Sequence, residues 1–202
     1  MQQSMKQSDA CERNKHPISE KLISHLNTSK SVLEIGSGTG QHALFFSQCL
    51  PHLTWQPSDL AAHIPDIKAR IAQHPSPNIL SPFILDVRSD TWCDHHYDAI
   101  FTANTLHIVA WSTVEKFFQG IARHLNPEGL LCIYGPFRYQ QNYTSQSNAE
   151  FDLWLKNRDA LSGIRDFEAI EALAQQHQLI LQQDYALPAN NQLLIWQYQP
   201  EG

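Results

Sequence analysis

The sequence predicts an α/β fold in which helices cover both faces of a mostly parallel sheet. Three observations predict it: short apolar runs alternate with amphipathic stretches, a glycine-rich turn follows the first apolar run, and a short turn separates the last two apolar runs. Strands that alternate with helices form βαβ crossovers, and two strands joined by a short turn pair antiparallel. The 202 residues suit one domain, and we predict a single domain over 1–202.

The first half of the chain contains six predicted elements. They are a helix over 17–26, a strand over 31–35, a helix over 42–50, a strand over 53–56, a helix over 64–73 and a strand over 82–87. In the first helix Ile18, Leu22 and Leu26 recur every four residues, and Pro17 suits a first helical turn. Residues 1–16 before it are predicted as a solvated N-terminal arm.

The second half continues the alternation of strands and helices, with a polar and aromatic stretch over 137–147. Its predicted elements are a strand over 97–103, a helix over 112–125, a strand over 130–134, helices over 149–158 and 167–177, and strands over 179–185 and 192–198. Ser112 with Glu115, and Ser147 three residues before another glutamate, have the spacing of capping boxes. Residues 137–147 are too long for an ordinary connection, so we predict a functional loop there, within a substrate-side insertion over 137–166.

Composition and charge exclude several classes of function. Lys and Arg number 14 against 20 Asp and Glu, a net charge of −6, so no basic field attracts a nucleic-acid backbone. The four cysteines form no CxxC pair, which argues against a zinc site or a disulfide framework. No apolar run reaches the roughly 18 residues of a membrane span, and the N-terminus lacks a signal-peptide pattern. We therefore expect a cytoplasmic protein with no membrane or nucleic-acid partner and no metal.

A glycine-rich turn stands where the first strand becomes a helix. Its candidate cofactor-binding residues are Glu34, Gly36, Ser37, Gly38 and Gly40. Glycines there let the backbone curl tightly and a nucleotide-like ligand come close. The dinucleotide fingerprint needs its third glycine where this chain has Gln41, and the lysine of a P-loop is missing. The acid-x-Gly-x-Gly-x-Gly pattern instead resembles the first motif of class I S-adenosylmethionine-dependent methyltransferases, with a plain tight turn as the alternative.

Two acids follow the next strands. Asp59 comes just after the second strand, where an ionised carboxylate can accept hydrogen bonds from both hydroxyls of a ribose, and we assign Leu60 to the same site. Asp86 ends the third strand. In the methyltransferase pattern an acid there accepts from the adenine amino group while the next amide, here that of Val87, meets the ring. Each acid alone could be a solvated strand-end carboxylate, but their order along the chain favours cofactor binding.

Several short strings carry a closer resemblance. They include Arg13 to Ile18, Gly38 to Ala43, Trp55 to Asp59, Asp98 to Ile108, Tyr134 to Phe137, Ser147-Asn148, Gly163 to Asp166 and Pro188 to Asn191. With them the chain, from about Ala10 to its end, resembles the methyltransferase-like 26 family, formerly a domain-of-unknown-function family. The resemblance implies a class I methyltransferase fold with a seven-stranded sheet whose last strand is antiparallel. It implies S-adenosylmethionine as methyl donor and S-adenosylhomocysteine as product, but no substrate.

The cofactor roles follow from this pattern. Glu34 would anchor the glycine turn and the cofactor's ammonium. The helix that starts near Gly40 would favour the cofactor's carboxylate through its N-terminal dipole. Asn104 would bind through its backbone at the exit of strand four.

Methyl transfer is an in-line displacement, so catalytic candidates are sought at the strand exits beside the cofactor. We name His107, Tyr134 and Arg138. The pKa of a histidine lies near neutrality, so His107 could act as a general base. A packed histidine, a core aromatic and a surface charge are the alternatives for these three. A carboxylate nucleophile would need no base.

Five residues are assigned to substrate binding. Phe137 could line the pocket, and Arg165, together with Arg138, could clamp an acidic substrate in bidentate fashion. Arg13 and Asn14 belong to the family string that precedes the first helix. Asn148 could orient substrate, although helix capping explains it equally.

The sequence thus predicts a methyltransferase that acts on a small molecule in preference to a protein side chain. Two other hypotheses stay open: a non-catalytic S-adenosylmethionine-binding sensor or partner subunit, and a NAD-dependent oxidoreductase. Gln41 at the third fingerprint position argues against the oxidoreductase. The methyl acceptor and the oligomeric state are not predicted.

Overall fold

A computed structural model describes residues 7–200 of the chain. The helices are α1 Asp9–His25, α2 Gln41–Cys49, α3 Ile64–Gln73, α4 Trp111–His124, α5 Gln146–Arg158 and α6 Phe167–Gln176. The strands are β1 Ser31–Ile35, β2 Thr54–Asp59, β3 Phe83–Ile84, β4 Tyr97–Ala103, β5 Leu125–Gly135, β6 Phe137–Tyr139, β7 Asn142–Tyr143, β8 Arg165–Asp166, β9 Leu179–Leu187 and β10 Asn191–Tyr198. A 3-10 turn, Leu106–Ile108, lies between β4 and α4. No helix in this range is long and apolar enough to cross a membrane.

Seven strands form one sheet in the order β3-β2-β1-β4-β5-β10-β9. The pairings are parallel except for those of β10, which is antiparallel to both β5 and β9. The predicted α/β fold, with a mostly parallel seven-stranded sheet and an antiparallel last strand, is therefore confirmed. β1, β2, β4 and β5 end side by side at Ile35, Asp59, Ala103 and Gly135, and we call this end of the sheet the carboxyl edge.

Both faces of the sheet are buried, which explains why its central strands are nearly continuous apolar runs. Along β4, Ile100 belongs to the core beside α4 and α6, and Phe101 belongs to the core beside α1 and α2. Trp196 and Trp55 are fully buried in these two cores. Each large side chain contributes roughly 1.5–3 kcal/mol by burial. The sheet thus gives the carboxyl edge a rigid base.

Helix α1 begins at Asp9 rather than at Pro17. Ser8 caps its first turn, and Asn14 is buried. The prediction of a solvated arm is therefore wrong for residues 9–16, while residues 1–6 lie outside the described part of the chain. Pro17 stands inside the helix, where it removes one intrahelical hydrogen bond, and the packing of both halves of α1 outweighs that loss.

The stretch over 137–147 is a hairpin rather than the predicted long loop. Arg138 of β6 pairs with Tyr143 of β7, and β8 joins β6 in parallel to complete a small three-stranded sheet. The mixed polar and aromatic sequence is that of short, partly exposed strands. The predicted insertion 137–166 therefore contains a small sheet and α5, directly after the end of β5.

The two predicted capping boxes do not form. α4 has Ala110 at its N-cap, with Ser112 already inside the helix. α5 is capped by Ser145, whose hydroxyl accepts a backbone amide at 3.1 Å, and not by the serine two residues later. The strand predicted over 82–87 pairs with β2 only at Phe83–Ile84.

Candidate functional site

The glycine turn follows β1 at the carboxyl edge and is held there by backbone hydrogen bonds. The amides of Gly36 and Ser37 both donate to the Ser58 carbonyl, each at 3.0 Å. Gly36 has a φ of +74°, and a Cβ there would stand 2.9 Å from Thr105 Oγ1, so packing requires a glycine. A Cβ on Gly38 would instead meet nothing within 4 Å. The space above Gly38 is therefore open at the point where a ligand would approach the turn.

Glu34 stands just before the turn and is 2% exposed. Its Oε2 accepts from Trp55 Nε1 at 3.0 Å. Burial is the main cause that raises the pKa of this carboxyl to about 7; hydrogen bonds from Trp55 and Ser37 act against it, and the Asp59 charge adds to it. None of the ion pairs described within residues 7–200 includes Glu34. A buried carboxyl of this kind is suited to a ligand's ammonium group.

Asp59 ends β2, and its carboxylate reaches back to the turn. Oδ2 accepts from the Gly38 amide at 2.6 Å, and Oδ1 accepts from the Leu60 amide at 2.7 Å. Because a carboxylate oxygen can accept more than one hydrogen bond, both oxygens keep acceptor capacity for ligand hydroxyls. Leu60 beside it is 45% exposed. The structure thus places Asp59 and Leu60 against the glycine turn.

Asp86 and Val87 follow β3, the strand that pairs with β2 at Asp59. Both carboxylate oxygens of Asp86 accept from the Arg88 guanidinium, and this lowers the pKa of Asp86. The Arg88 side chain is 65% exposed. A ligand that hydrogen-bonds Asp86 would compete with this pair at small cost, because exposed ion pairs contribute roughly 0–1 kcal/mol.

Asn104 leaves β4 with a φ of +58°, a left-handed conformation that asparagine tolerates better than most residues. Its amide donates to the Tyr134 carbonyl at 2.8 Å. The carbonyl of Asn104, and not its amide, is therefore the backbone group that a ligand could use. This conformation also turns the chain from β4 into the 3-10 turn.

His107 lies in that turn and is 5% exposed. Burial, followed by the Arg165 charge, lowers the pKa of its imidazole to about 4, so the ring is neutral at pH 7. The ring meets Phe151 edge-on with centroids 5.5 Å apart. It also packs against Gly135, where a Cβ would stand 3.6 Å from Nδ1. A neutral imidazole at the carboxyl edge can accept a proton.

Arg165 serves the fold rather than a ligand. Its guanidinium donates to the carbonyls of Leu106, Val109 and Leu161. The amide of Gly163 donates to the His107 carbonyl at 2.9 Å. These bonds hold the turn that carries His107. Arg165 therefore positions this turn, where the sequence predicts a clamp on an acidic substrate. No local sequence pattern indicates the positioning role.

A second polar group connects α1 to the carboxyl edge. His42 Nε2 and Asn14 Oδ1 are 2.6 Å apart, and His42 Nδ1 lies 4.0 Å from Cys11 Sγ. Burial lowers the pKa of His42 to about 4, so the ring is neutral and donates from Nε2 to Asn14. The side chains of Asn14 and Asn191 stand beside the Tyr134 hydroxyl. Burial raises the pKa of this hydroxyl above its ordinary value, and hydrogen bonds with the two amides offset part of that rise.

Two of the predicted substrate residues therefore lie near Tyr134. Asn14 is buried against it, and the charge of the exposed Arg13 also acts on its hydroxyl. No local sequence pattern predicts a role for His42 or Asn191. Both belong to the strings that carry the family resemblance, and those strings are the signal that could have identified them.

Three other predicted residues are engaged within the fold. Phe137 is 2% exposed and belongs to the core beside α4 and α6. Arg138 pairs with Asp166 at 2.6 Å between Nη2 and Oδ2. Asn148 donates through Nδ2 to the Asn190 carbonyl at 2.9 Å, which ties α5 to the turn before β10. Phe137 thus contributes to the core, Arg138 to an ion pair and Asn148 to a tether.

Two concavities of about 390 Å³ each lie away from this site. One is lined by Trp92 and His124, and the other lies at the opposite end of the sheet beside Lys30 and Asp98. Neither contains a residue of the glycine turn.

The strand order, the antiparallel last strand and the glycine turn after β1 define a protein with the Rossmann-like fold of methyltransferases. A family described as "Protein of unknown function (DUF938)" has a sequence model that matches residues 5–198, and the chain belongs to this family.

Solved structures share the fold at low sequence identity. An O-methyltransferase family protein from Burkholderia thailandensis is 17% identical with a TM-score of 0.82, over 96% of this chain and 59% of its own. Human N-acetylserotonin methyltransferase, in complex with SAM, is 14% identical with a TM-score of 0.79, over 95% of this chain and 53% of its own. PigF with SAH is 14% identical with a TM-score of 0.78, over 92% and 56%. The chain thus spans less than two thirds of the length of these proteins.

Proposed function

We propose that this protein is an S-adenosylmethionine-dependent methyltransferase that acts on a small-molecule acceptor. The observation that carries the proposal is the arrangement of Glu34, Gly38 and Asp59 around one open turn at the carboxyl edge. The buried Glu34 carboxyl, which is in no ion pair within residues 7–200, suits the cofactor's ammonium, and Asp59 suits the ribose hydroxyls. We also propose that the chain is a member of the methyltransferase-like 26 family and acts in the cytoplasm.

The residues around the turn fit this cofactor. The open space above Gly38 lets a ligand approach the backbone. The N-terminus of α2, which begins at Gln41, adds a partial positive charge that favours the cofactor's carboxylate. Further along the edge, Leu60 and Val87 offer apolar contacts to an adenine ring, and Asp86 offers an acceptor for its amino group.

When bound, S-adenosylmethionine supplies an electrophilic methyl group. The residues of the chain would orient the acceptor and remove its proton. His107 would hold that proton on its imidazole, which is neutral above about pH 4. The Tyr134 hydroxyl, placed by Asn14 and Asn191 on the α1 side of the sheet, would contact the reactants from the face opposite His107. The Asn104 carbonyl would contribute at the exit of β4.

The solved structures support the reaction class. The human enzyme was solved with SAM and PigF with SAH, and the Burkholderia protein is described as an O-methyltransferase family protein. All three are longer than this chain, so their substrates are not carried over. The proposal takes from them only the methyl donor and the type of transfer.

Isothermal titration with S-adenosylmethionine, S-adenosylhomocysteine and NAD tests the cofactor before an acceptor is known. We expect micromolar binding of the two adenosyl ligands and no binding of NAD. Binding of NAD alone would overturn the proposal in favour of an oxidoreductase. Binding of none of the three would also contradict it.

Asp59→Ala provides the matching variant. It should weaken S-adenosylmethionine binding more than tenfold, about 1.4 kcal/mol, because charge-assisted bonds to the ribose are lost. Asp94→Ala removes an exposed carboxylate from the connection between β3 and β4 and is the control for the change in net charge. Thermal unfolding checks that both variants keep the fold. Unchanged affinity in Asp59→Ala would remove that residue from the site.

A further inference from the structure

Helix α5 crosses the carboxyl edge next to His107. Near its start, Asn148 donates to the carbonyl of Asn190 in the turn before β10. One turn later, Phe151 meets the His107 ring edge-on at 5.5 Å between centroids. The first half of α5 therefore contacts both the β9–β10 turn and the 3-10 turn after β4, and both of these lie at the carboxyl edge.

The face of α5 that continues from His107 is aromatic and exposed. Phe151 and Trp154 stack with centroids 5.8 Å apart and planes at 14°. Trp154 is 52% exposed, and the Arg158 guanidinium lies over its ring at 5.6 Å. Residues three and four positions apart share one face of a helix. Ile108, which follows His107 in the chain, is 51% exposed, so apolar surface extends on both sides of the histidine.

A buried acceptor without a partner stands on the same side of the sheet. Gln192 lies opposite Gly135 in the ladder between β5 and β10. Side chains of directly opposed residues leave a sheet on the same face, so Gln192 shares the face against which His107 packs. Gln192 is 7% exposed, and its Oε1 has no hydrogen-bond partner within the described part of the chain. An unpaired buried oxygen is costly, so a ligand donor placed here is favoured.

We infer that the methyl acceptor is an apolar, ring-containing small molecule that carries a hydroxyl or amino group. In the complex before transfer, its O–H or N–H donates to Gln192 Oε1, and on methyl transfer that proton passes to the neighbouring His107 imidazole. Its ring contacts the aromatic face formed by Phe151 and Trp154. A hydroxyl and an amine share this donor chemistry. The inference rests on the proposed function for the reaction, but the binding site it names can be tested without turnover.

The test measures the affinity of three naphthalenes for the protein in the presence of S-adenosylhomocysteine. 2-Naphthol and 2-aminonaphthalene carry a donor, whereas 2-methoxynaphthalene has the same ring system without one. We expect at least one donor-bearing probe to bind about tenfold more tightly than the methyl ether. The tighter of the two then distinguishes a hydroxyl acceptor from an amine. Equal affinity for all three probes, or binding of none, overturns the inference.

Three variants locate the site. Gln192→Leu should lower the affinity for the donor-bearing probe to that for 2-methoxynaphthalene, which should itself be unchanged. Trp154→Ala should weaken all probes about fivefold. Leu153→Ala is the matched control, because Leu153 is 62% exposed and lies off the aromatic face. Equal losses in Trp154→Ala and Leu153→Ala would overturn the site.

Two further measurements distinguish the acceptor site from a protein-binding surface and from the proposed function. A changed oligomeric state in Trp154→Ala with unchanged probe affinity would assign the aromatic face to a protein partner and overturn the inference. S-adenosylhomocysteine titration of each variant verifies the fold. Failure of the unsubstituted protein to bind that ligand would refute the proposed function, while selective binding of the donor-bearing naphthalenes would still support the acceptor site.

Discussion

Glu34 is the titratable residue most directly linked to cofactor binding. Burial raises the pKa of its carboxyl to about 7, so the side chain is about half protonated at neutral pH without a ligand. A bound ammonium favours the charged form. The affinity for S-adenosylhomocysteine should therefore rise from about pH 6 to about pH 8. Titration calorimetry in buffers of different ionisation enthalpy measures the accompanying proton release. Glu34→Gln should remove this dependence, and an unchanged slope would assign it to another group.

His107 is expected to affect turnover without affecting cofactor binding. His107→Ala should abolish methyl incorporation from labelled S-adenosylmethionine into a metabolite extract, because the site loses its proton acceptor. The affinity for S-adenosylhomocysteine should stay unchanged. Since the pKa of His107 is about 4, its protonation should reduce turnover only as the pH falls toward that value. Full activity of the variant would show that a different group, or none, takes the proton.

Some residues of the candidate site could be predicted from local sequence patterns, and others could not. Glu34 could be predicted because it lies at the end of β1 just before the glycine turn, and Asp59 because it ends β2; the βαβ unit itself sets the surroundings of both. Arg165 could not, because the carbonyls it binds at Leu106 and Val109 lie 59 and 56 positions away. Phe137 follows a strand end like the site residues, but helices remote in sequence bury it. Which strand-end side chain reaches the ligand is thus decided by long-range packing.

The start of α5 offers a direct comparison between the sequence pattern and the structure. Ser145 is the N-cap, and its hydroxyl accepts a backbone amide at 3.1 Å. Ser145→Ala should lower the free energy of unfolding by about 1 kcal/mol. Ser112→Ala, at the position that the sequence pattern marks as a cap of α4, should change it by less than about 0.5 kcal/mol. Urea denaturation measures both. Equal losses would show that Ser112 stabilises α4 in a way its geometry does not indicate.

Helix α1 shows how tertiary contacts override a local signal. Pro17 with the polar stretch before it predicts a helix start, yet the helix begins at Asp9. The Ser8 amide donates to Gln41 Oε1 at 2.6 Å, and Gln41 Nε2 donates to Glu12 at 2.8 Å, so the N-terminal half of α1 is fastened to α2. Elements whose apolar spacing is long and regular, such as α3 at Ile64–Gln73, could be predicted to the residue.

The topology of the whole molecule was accessible from the sequence, because it depends on the alternation of strands and helices and on a short last connection. The small sheet of β6, β7 and β8 was not, since strands of two or three residues are too short to show a period of two. This small sheet directly follows β5, so the sequence predicts only part of the region next to the proposed acceptor site; α5, predicted over 149–158, is present and starts three residues earlier.

Two buried histidines tie the stability of the molecule to pH. His42 fastens α1 to the carboxyl edge, and His107 lies on the opposite face of the sheet. Burial lowers both pKa values to about 4 from an unfolded value of 6.5. The unfolded chain therefore binds more protons between these limits, and the stability present above about pH 6.5 is lost as the pH falls toward 4. Each histidine should contribute a loss of roughly 2 kcal/mol between pH 7 and pH 5.

Glu34 has the opposite effect on the pH dependence of stability. Its pKa is raised from 4.5 to about 7 in the folded protein, so the stability that it contributes at acid pH is lost as the pH rises through that range. The double variant His42→Gln/His107→Gln should therefore reverse the pH dependence, becoming less stable from pH 5 to pH 7. His74→Gln/His95→Gln, which changes two exposed histidines, should behave like the unsubstituted protein. Urea denaturation at both pH values measures these free energies of unfolding. If both double variants lose the same stability on acidification, the buried imidazoles are not the source of the acid sensitivity, and their neutral state in the folded protein is refuted.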